Sequence, residues 1–236
     1  MAENRDYKVL ILTSDPARVE AVTDVGTRNF ENSTVVFWAM GDMSTKADVL
    51  RQIRATDYNL IISHINGIIL KQHDLDKAHF GAVNIHPAPP EHGGAWGIWC
   101  QPVIGRDVRT HHGVTVHEMD ADIDHGPIYR VKRWEVAENA TIQSVVERSF
   151  DECFTAFEQV AEELGRSSSG TQCFAPVEET WDSTNRHHTV EDVRGWFESL
   201  DAGHPAHQER VPLNHPARSS HRPISTTFET ARVRRT

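Results

Sequence analysis

The sequence lacks the features of a membrane, disulfide-stabilised or zinc-binding protein. No apolar run approaches the roughly 20 residues that are needed to span a bilayer. The three cysteines, Cys100, Cys153 and Cys173, form no C-x-x-C pair, so we expect neither a disulfide framework nor a zinc site. The first residues carry no basic stretch followed by a long apolar segment, and we expect a cytoplasmic protein without a secretory signal.

Two common enzyme motifs are missing as well. No G-x-G-x-x-G follows the first apolar run, which argues against a nucleotide cofactor and, more weakly, against a phosphorylated ligand. The absence of G-x-S-x-G argues against a Ser-His-Asp hydrolase of the nucleophile-elbow type. The formal net charge of −10 argues against nonspecific nucleic-acid binding, although residues 203–236 alone carry six arginines and two glutamates. We expect that basic tail to be loop or disordered.

Short apolar runs alternate with helical patterns through the first half of the chain. Strands are predicted at 7–13, 34–40, 58–65, 81–86, 113–119 and 128–136. Alternation of this kind indicates βαβ units, and hence an α/β fold with a mostly parallel sheet covered by helices on both faces. Apolar residues of 141–166 recur at i, i+3 and i+4, which predicts a long helix. Ser14-Asp15-Pro16 predicts an earlier helix start.

Asn84 and His86 are the first pair of residues that indicate chemistry. Residues i and i+2 of a strand face the same side, so the amide and the imidazole are aimed together. They stand at the carboxyl end of a predicted strand, the edge at which open α/β sheets place ligands. Taken alone, N-x-H is a weak pattern, because a histidine can simply end a strand.

An acidic turn follows between the last two predicted strands. Asp120, Asp122 and Asp124 alternate, but the glycine and glutamate that a calcium-binding EF-hand needs are missing, so we predict no metal. A solvated acidic turn remains the alternative reading. A solvated turn does not explain why the apolar Ile123 and the rigid Gly126-Pro127 lie among the acids. A turn that holds one carboxylate at a defined place does explain them.

The order of these motifs resembles the formyltransferase family, which includes glycinamide ribonucleotide, methionyl-tRNA and sugar-amine N-formyltransferases. The resemblance rests on N-x-H-P at 84–87, a proline- and glycine-bearing loop, G-V-T-V-H-x-M-D at 113–120 and D-x-D-x-G-P-I at 122–128. It is dense over residues 81–128 and extends over about 7–166. It implies a Rossmann-like catalytic domain at 1–166, followed by a small C-terminal appendage at 167–236.

The resemblance also implies a function and a set of site residues. The cosubstrate would be 10-formyltetrahydrofolate, with no metal, and the acceptor a primary amine. The implied catalytic residues are Asn84, His86 and Asp124, with His117 in a secondary role. Residues implied at the folate site are Ile68, Leu70, Asp120, Ala121 and Asp122. Residues of the loop that contacts the acceptor are Pro90, Glu91, Gly94 and Trp96.

The acceptor stays open at this point, because the loop after His86 is shorter than the usual one and lacks its leucine pair. A sugar amine and an amino-acid or natural-product amine are both retained. The alternatives are a formyltetrahydrofolate hydrolase and a catalytically silent α/β binding module. The hydrolases usually carry an N-terminal regulatory domain, whereas here the first strand is expected near Tyr7. We expect a small-molecule partner, no nucleic acid and no membrane, and a homodimer is left open.

Overall fold

The computed structural model describes residues 6–92, 97–104, 111–182, 190–200, 203, 204 and 206. Gly94, Trp96 and the basic tail beyond residue 206 lie outside these ranges, so the predictions made for them concern residues that the structure does not describe. Within the described residues, no helix is long and apolar enough to cross a bilayer.

The described strands form one mixed sheet in the order β2-β1-β3-β4-β5-β6. Their bounds are β1 Lys8–Thr13, β2 Asn32–Phe37, β3 Leu60–His64, β4 Ala82–His86, β5 His111–Glu118 and β6 Ile128–Glu135. The first four strands are parallel to one another, while β5 is antiparallel to both β4 and β6. The α/β fold with a mostly parallel sheet is therefore confirmed.

Helices cover both faces of this sheet. They are α1 Val19–Asn29, α2 Lys46–Ala55, α3 Gln72–Leu75, α4 Ile142–Arg166 and α5 Val190–Glu198. Alternate residues of β1 divide between the two layers: Val9 and Ile11 pack with α1 and α4, and Leu10 and Leu12 pack with α2. This alternation is the strand periodicity of a sheet that is buried on both sides.

The long helix predicted from its apolar periodicity is α4. Thr141 caps it, since the Thr141 hydroxyl accepts from the backbone N–H of Ser144 at 3.0 Å and the Ser144 hydroxyl accepts from that of Thr141 at 3.1 Å. Phe157, Val160 and Leu164 on its inner face are fully buried. The helix therefore closes the core beneath the sheet.

The helix predicted to open at Ser14-Asp15-Pro16 begins later, at Val19. Asp15 is buried, and its carboxylate accepts the Ala17 backbone N–H at 3.1 Å and pairs with Arg18 at 2.9 Å. Because the carboxylate is used by this turn, it does not cap the helix.

Residues after α4 return to the sheet. The Tyr7 hydroxyl donates to the Ser167 carbonyl at 2.8 Å and accepts from the Gly170 N–H at 2.9 Å. Helix α5 adds Val193 and Trp196 to a third apolar cluster beside α4. The domain boundary at residue 166 stays a prediction, and the described part of the proposed appendage shares contacts with the first domain.

Candidate active site

Strand β4 brings Asn84 and His86 to the carboxyl edge of the sheet, at the point where the parallel strands meet the antiparallel pair. Both residues lie in register with β5, opposite His117 and Thr115 respectively. His86 is buried, whereas Asn84 is partly exposed. The strand therefore aims the amide and the imidazole at one place, as the i, i+2 spacing predicts.

The hydrogen bonds of His86 define which of its nitrogens is basic. Nε2 lies 2.9 Å from the carbonyl oxygen of His92, and only an N–H can donate to a carbonyl. In the neutral ring the lone pair is therefore on Nδ1, which lies 3.6 Å from Oδ1 of Asp124. A proton taken up at Nδ1 would face the carboxylate directly.

His117 connects the amide to the same carboxylate. Its Nδ1 donates to the carbonyl of Glu118 at 2.8 Å, so the neutral ring accepts at Nε2. That nitrogen lies 3.0 Å from the Asn84 amide nitrogen and 3.6 Å from Oδ1 of Asp124. The amide nitrogen carries two hydrogens, so a second one can be donated to a ligand.

The acidic turn carries Asp124 inward by an unusual backbone conformation. Asp124 has φ 49°, in the left-handed region that aspartate tolerates better than most residues. Its side chain is 7% exposed, while Asp122 and Ile123 on the same turn are exposed. Gly126 lies so close to β5 that a Cβ there would be 2.2 Å from the Glu118 carbonyl oxygen. The glycine lets the turn pack onto the strand.

The residues predicted for catalysis and for folate meet around one cavity of about 340 Å³, which we call the inner cavity. Its walls are Met40, Ser63, Ile65–Leu70, Asn84–Pro87, Ile98, Trp99, His117 and Met119–Asp124. All three predicted catalytic residues and all five predicted folate residues are therefore among its walls. Ile68 and Leu70 are each 3% exposed and also pack in the core beneath α2.

The wall of the inner cavity includes a strained residue. Ile65, which follows β3, has φ 45°, a conformation that β-branched residues rarely adopt. Its carbonyl oxygen accepts from Ser14 at 2.9 Å, and Asn66 bonds both backbone groups of Ile68. Strain of this kind is found most often at binding and catalytic sites.

A second depression, the outer groove, also borders the acidic turn. It is lined by Ile69, Lys71, Pro90, Asp120–Ile128 and Glu179–Asp182, with a volume of about 1220 Å³. Asp124 lines both the groove and the inner cavity. The two spaces share Ile69 and Asp120–Asp124 in their walls, so the acidic turn borders both of them.

The sequence motifs did not indicate Trp181, which lies beside the histidines. Its indole stands edge-on to the His117 ring at 4.8 Å and to the His86 ring at 5.8 Å, between ring centroids. Its N–H donates to the Gly126 carbonyl at 2.9 Å. Trp181 lies 57 positions after Asp124, which is the nearest predicted catalytic residue in the chain, so no local pattern could have associated it with that set.

The predicted acceptor residues are placed in different ways. Pro90 lines the outer groove. Glu91 lines neither space, and pairs instead with Arg133 at 2.9 Å, which also holds Glu179 at 2.5 Å. The hydrogen bond between Arg133 and Glu179, with a smaller effect of the opposite charges, lowers the pKa of Glu179 and raises that of Arg133. The ion pairs join the loop after His86 to the segment that carries Trp181.

Two other histidines near the site have shifted pKa values. Burial, with a smaller effect of His92, lowers the pKa of His112 to about 3, and its Nε2–H donates to the Pro87 carbonyl at 3.1 Å. The hydrogen bond and charge of Asp120 raise the pKa of exposed His125. In the described part of the chain, no group of three or more His, Cys, Asp or Glu side chains is placed to hold a metal.

A comparison with known families matches residues 7–160 to the formyl transferase model. The chain belongs to the formyl transferase family. The matched segment contains the inner cavity's walls, while Trp181 and the segment around it lie beyond the match. The family resemblance read from the sequence is thus confirmed.

Individual relatives agree with this assignment. The methionyl-tRNA formyltransferase of Francisella tularensis subsp. novicida is 32% identical over 115 residues, which is 48% of this chain and 36% of that enzyme. The chain therefore matches about a third of the length of this curated relative.

Solved structures show the same fold at lower identity. A sugar N-formyltransferase from Shewanella sp. aligns with a TM-score of 0.60 at 18% identity, over 83% of this chain and 81% of its own. The formyltransferase PseJ of Anoxybacillus kamchatkensis aligns with a TM-score of 0.58 at 17% identity, over 84% of this chain and 94% of its own.

Proposed function

We propose that the chain transfers a formyl group from 10-formyltetrahydrofolate to a primary amine of a small molecule. The observation that carries this proposal is that Asn84, His86 and Asp124 line the same cavity, and that much of the remaining wall is aliphatic. Three dissimilar polar groups converge there, on a partly apolar space, which is the usual form of a small-molecule site.

Each residue has a role that its hydrogen bonds support. His86 takes the proton that the attacking amine releases, at Nδ1, and Asp124 at 3.6 Å stabilises the charged ring. Asn84 donates its second N–H to the formyl oxygen as negative charge develops there, an effect worth about 3–4 kcal/mol for one good donor. His117 holds Asn84 at 3.0 Å and so fixes the direction of that donor.

The overall reaction balances without a covalent enzyme intermediate. A bond forms between the amine nitrogen and the formyl carbon, and the bond from that carbon to the folate nitrogen breaks. The proton taken by His86 returns to the folate nitrogen, with Asp124 relaying it through water. The products are a formamide and tetrahydrofolate.

The inner cavity fits the folate end of the donor. A volume of about 340 Å³ is at the lower end for small-molecule sites, and suits a ring system rather than a whole donor. Ile65, Ile68 and Leu70 give its wall apolar surface, and Asp120 and Asp122 give it polar groups. The PseJ structure was solved with tetrahydrofolate, which supports the same donor class here.

The acceptor is proposed as a sugar amine or as an amino-acid or natural-product amine. The first is supported by the sugar N-formyltransferase from Shewanella sp., the second by the shortened loop after His86. The outer groove offers room for either class, because it is larger than the inner cavity.

The test is a single-turnover assay of the purified chain with 10-formyltetrahydrofolate and a panel of primary amines, following tetrahydrofolate by absorbance and the formamide by mass spectrometry. We expect tetrahydrofolate and the formamide in equal amounts. Rapid formate release without amine would instead identify a formyltetrahydrofolate hydrolase that uses water in the same place. No consumption of donor under any condition would favour a silent binding module.

A further inference from the structure

Trp181 lies beside the predicted catalytic residues, although it is outside residues 7–160, the part of the chain that matches the family model. Resting on the proposed function, we propose that Trp181 is a positioning residue for formyl transfer. It acts through the His86 and His117 rings and through the acidic turn that carries Asp124. The catalytic side chains are supplied by the matched segment, and their alignment by a segment that follows α4.

The His86 ring is bonded to the main chain at one nitrogen. Its Nε2–H donates to the His92 carbonyl at 2.9 Å, while Nδ1, the proposed proton acceptor, lies 3.6 Å from Oδ1 of Asp124. Hydrogen bonds tolerate a range of angles, so the bond at Nε2 still allows the ring to tilt. A tilt changes the direction of the Nδ1 lone pair, which has to point at the attacking amine for proton transfer. A second contact is therefore required to hold the ring in one orientation.

Trp181 provides that contact, and it packs on His117 as well. The indole stands edge-on to both imidazoles, at 5.8 Å and 74° from the His86 ring and at 4.8 Å and 82° from the His117 ring. Perpendicular aromatic rings at such distances attract each other. His86 and His117 are 4% and 3% exposed, so the indole belongs to the packing that encloses them. One side chain thus restrains the proposed base and, through the 3.0 Å contact of His117 with Asn84, the proposed oxyanion donor.

The indole nitrogen of Trp181 holds the acidic turn. Its N–H donates to the carbonyl of Gly126, two residues after Asp124, at 2.9 Å. Asp124 has a left-handed backbone with φ 49°, a conformation that persists only where the surrounding structure enforces it. The hydrogen bond is one such constraint, so Trp181 contacts both the base and the turn that presents its carboxylate partner.

Residues 174–182, which we call the strap, present the indole from a backbone that is bonded on both sides of it. The Val177 N–H donates to the Ile128 carbonyl at 2.8 Å, and the Asp182 N–H donates to the Pro90 carbonyl at 3.1 Å. Neither bond involves the indole, so substitution of the tryptophan should leave the strap attached. The effect of such a substitution on turnover then reports on the ring itself.

Trp181→Ala and Trp181→Phe are first compared in steady-state formyl transfer, with 10-formyltetrahydrofolate and the amine that the unmodified chain turns over fastest. Trp181→Ala should lower kcat about 10-fold or more, since misplacing catalytic groups by about 1 Å can cost about 100-fold. KM for the donor should stay within about 2-fold, because Trp181 does not line the inner cavity. Trp181→Phe keeps a ring beside the imidazoles and should recover most of the loss. Unchanged kcat in the alanine variant, a loss that lies wholly in KM, or an equal loss in both variants would overturn the proposal.

The same two changes at Trp134 are the matched control. Trp134 also stands edge-on to a buried imidazole, that of His112 at 5.5 Å, but it lines neither the inner cavity nor the outer groove. It is 7% exposed, so its substitution should lower stability but leave kcat per folded molecule within about 2-fold. The phenylalanine variant keeps the comparison possible where the alanine variant does not fold. An equal fall of kcat at both positions would show that the loss of any tryptophan loosens the site, and the proposal would fail.

The His86 ring gives a readout that does not need turnover. In the full chain labelled with ¹⁵N-histidine, the nitrogen signals report which ring nitrogen carries the proton, and His86→Gln assigns them. In the unmodified chain Nε2 of His86 should carry it; Trp181→Ala should shift both signals toward those of mixed tautomers, and Trp181→Phe should keep them in place. The signals of exposed His79 should not change in either variant.

Unmoved His86 signals in Trp181→Ala would refute the positioning role even where kcat falls. Absence of formyl transfer by the unmodified chain would contradict the proposed function instead. The ring signals would then decide the role of Trp181 on their own.

Discussion

At the scale of the residue, surroundings give different roles to side chains of one kind. His86 and His117 border the inner cavity, and each keeps one ring nitrogen toward Asp124. His64 stands at the end of β3 with no exposed surface, and burial, with a smaller effect of Arg18, lowers its pKa to about 3. A histidine held neutral in this way can neither accept a proton near neutral pH nor reach a ligand.

The residue-scale prediction concerns His86 and Asp124. His86→Ala removes the proton acceptor and Asp124→Ala removes the group that stabilises its charged form, so we expect each to lower kcat by about 100-fold or more. In urea denaturation, the free energy of unfolding of both variants should stay within about 1–2 kcal/mol of that of the unmodified chain. His79→Ala, a change at an exposed histidine outside both spaces, is the control and should retain full activity. Near-normal turnover in either site variant would contradict the assignment.

At the scale of the element, the acidic turn depends on how closely it packs on β5. The left-handed φ of Asp124 and the missing side chain of Gly126 let the turn pack on β5 with the Asp124 carboxylate 3.6 Å from the His86 ring. Because backbone rather than a flexible side chain lies against Gly126, the turn has to move if anything is added there.

Gly126→Ala is the corresponding test. The added methyl would meet the Glu118 carbonyl oxygen at 2.2 Å, so we expect the turn to shift and carry Asp124 away from His86. Overpacking of this kind costs about 1–3 kcal/mol of unfolding free energy, and we expect kcat to fall at least 10-fold.

The matched control for that change is Gly195→Ala in α5, where an added Cβ meets nothing within 4 Å. Alanine favours a helix over glycine by up to about 1 kcal/mol, so this variant should be as stable or slightly more stable, with unchanged kcat. Equal kinetics in the two alanine variants would show that the packing of the turn does not position Asp124.

At the scale of the whole molecule, two buried histidines make folding sensitive to acid. His64 and His112 both have a pKa of about 3 in the folded protein, compared with an ordinary value of 6.5. Above pH 6.5 they are neutral in both states and contribute no pH dependence. Between pH 6.5 and about 3 the unfolded chain binds protons that the folded chain excludes, so stability falls as pH falls.

We therefore expect each histidine to lower the free energy of unfolding by about 1.4 kcal/mol per pH unit across that window. Urea denaturation at pH 7, 6, 5 and 4 measures the slope. The double variant His64→Leu, His112→Gln should have a flatter slope than the unmodified chain, although it starts from lower stability. The exposed His79→Ala variant should keep the original slope. Parallel slopes in the unmodified and double-variant chains would contradict this prediction.

The sequence alone was sufficient for the fold class, the family and the association of Asn84 with His86. Hydrophobic periodicity reports which face of an element is buried, and strand geometry places i and i+2 on one side, so both are local properties of the chain. The start of α1 was predicted too early, because the sequence does not reveal that the Asp15 carboxylate is used by a buried turn with Arg18.

Only the tertiary structure decided which distant groups meet. Asp124 lies 38 residues after His86 in the chain. Its approach to the His86 ring depends on the left-handed backbone at Asp124 and the close contact at Gly126. Trp181 reaches the same rings because the chain after α4 returns along the sheet, and no periodic pattern reports such a return. Local sequence determines what an element buries, whereas the packing of the whole chain determines what a site contains.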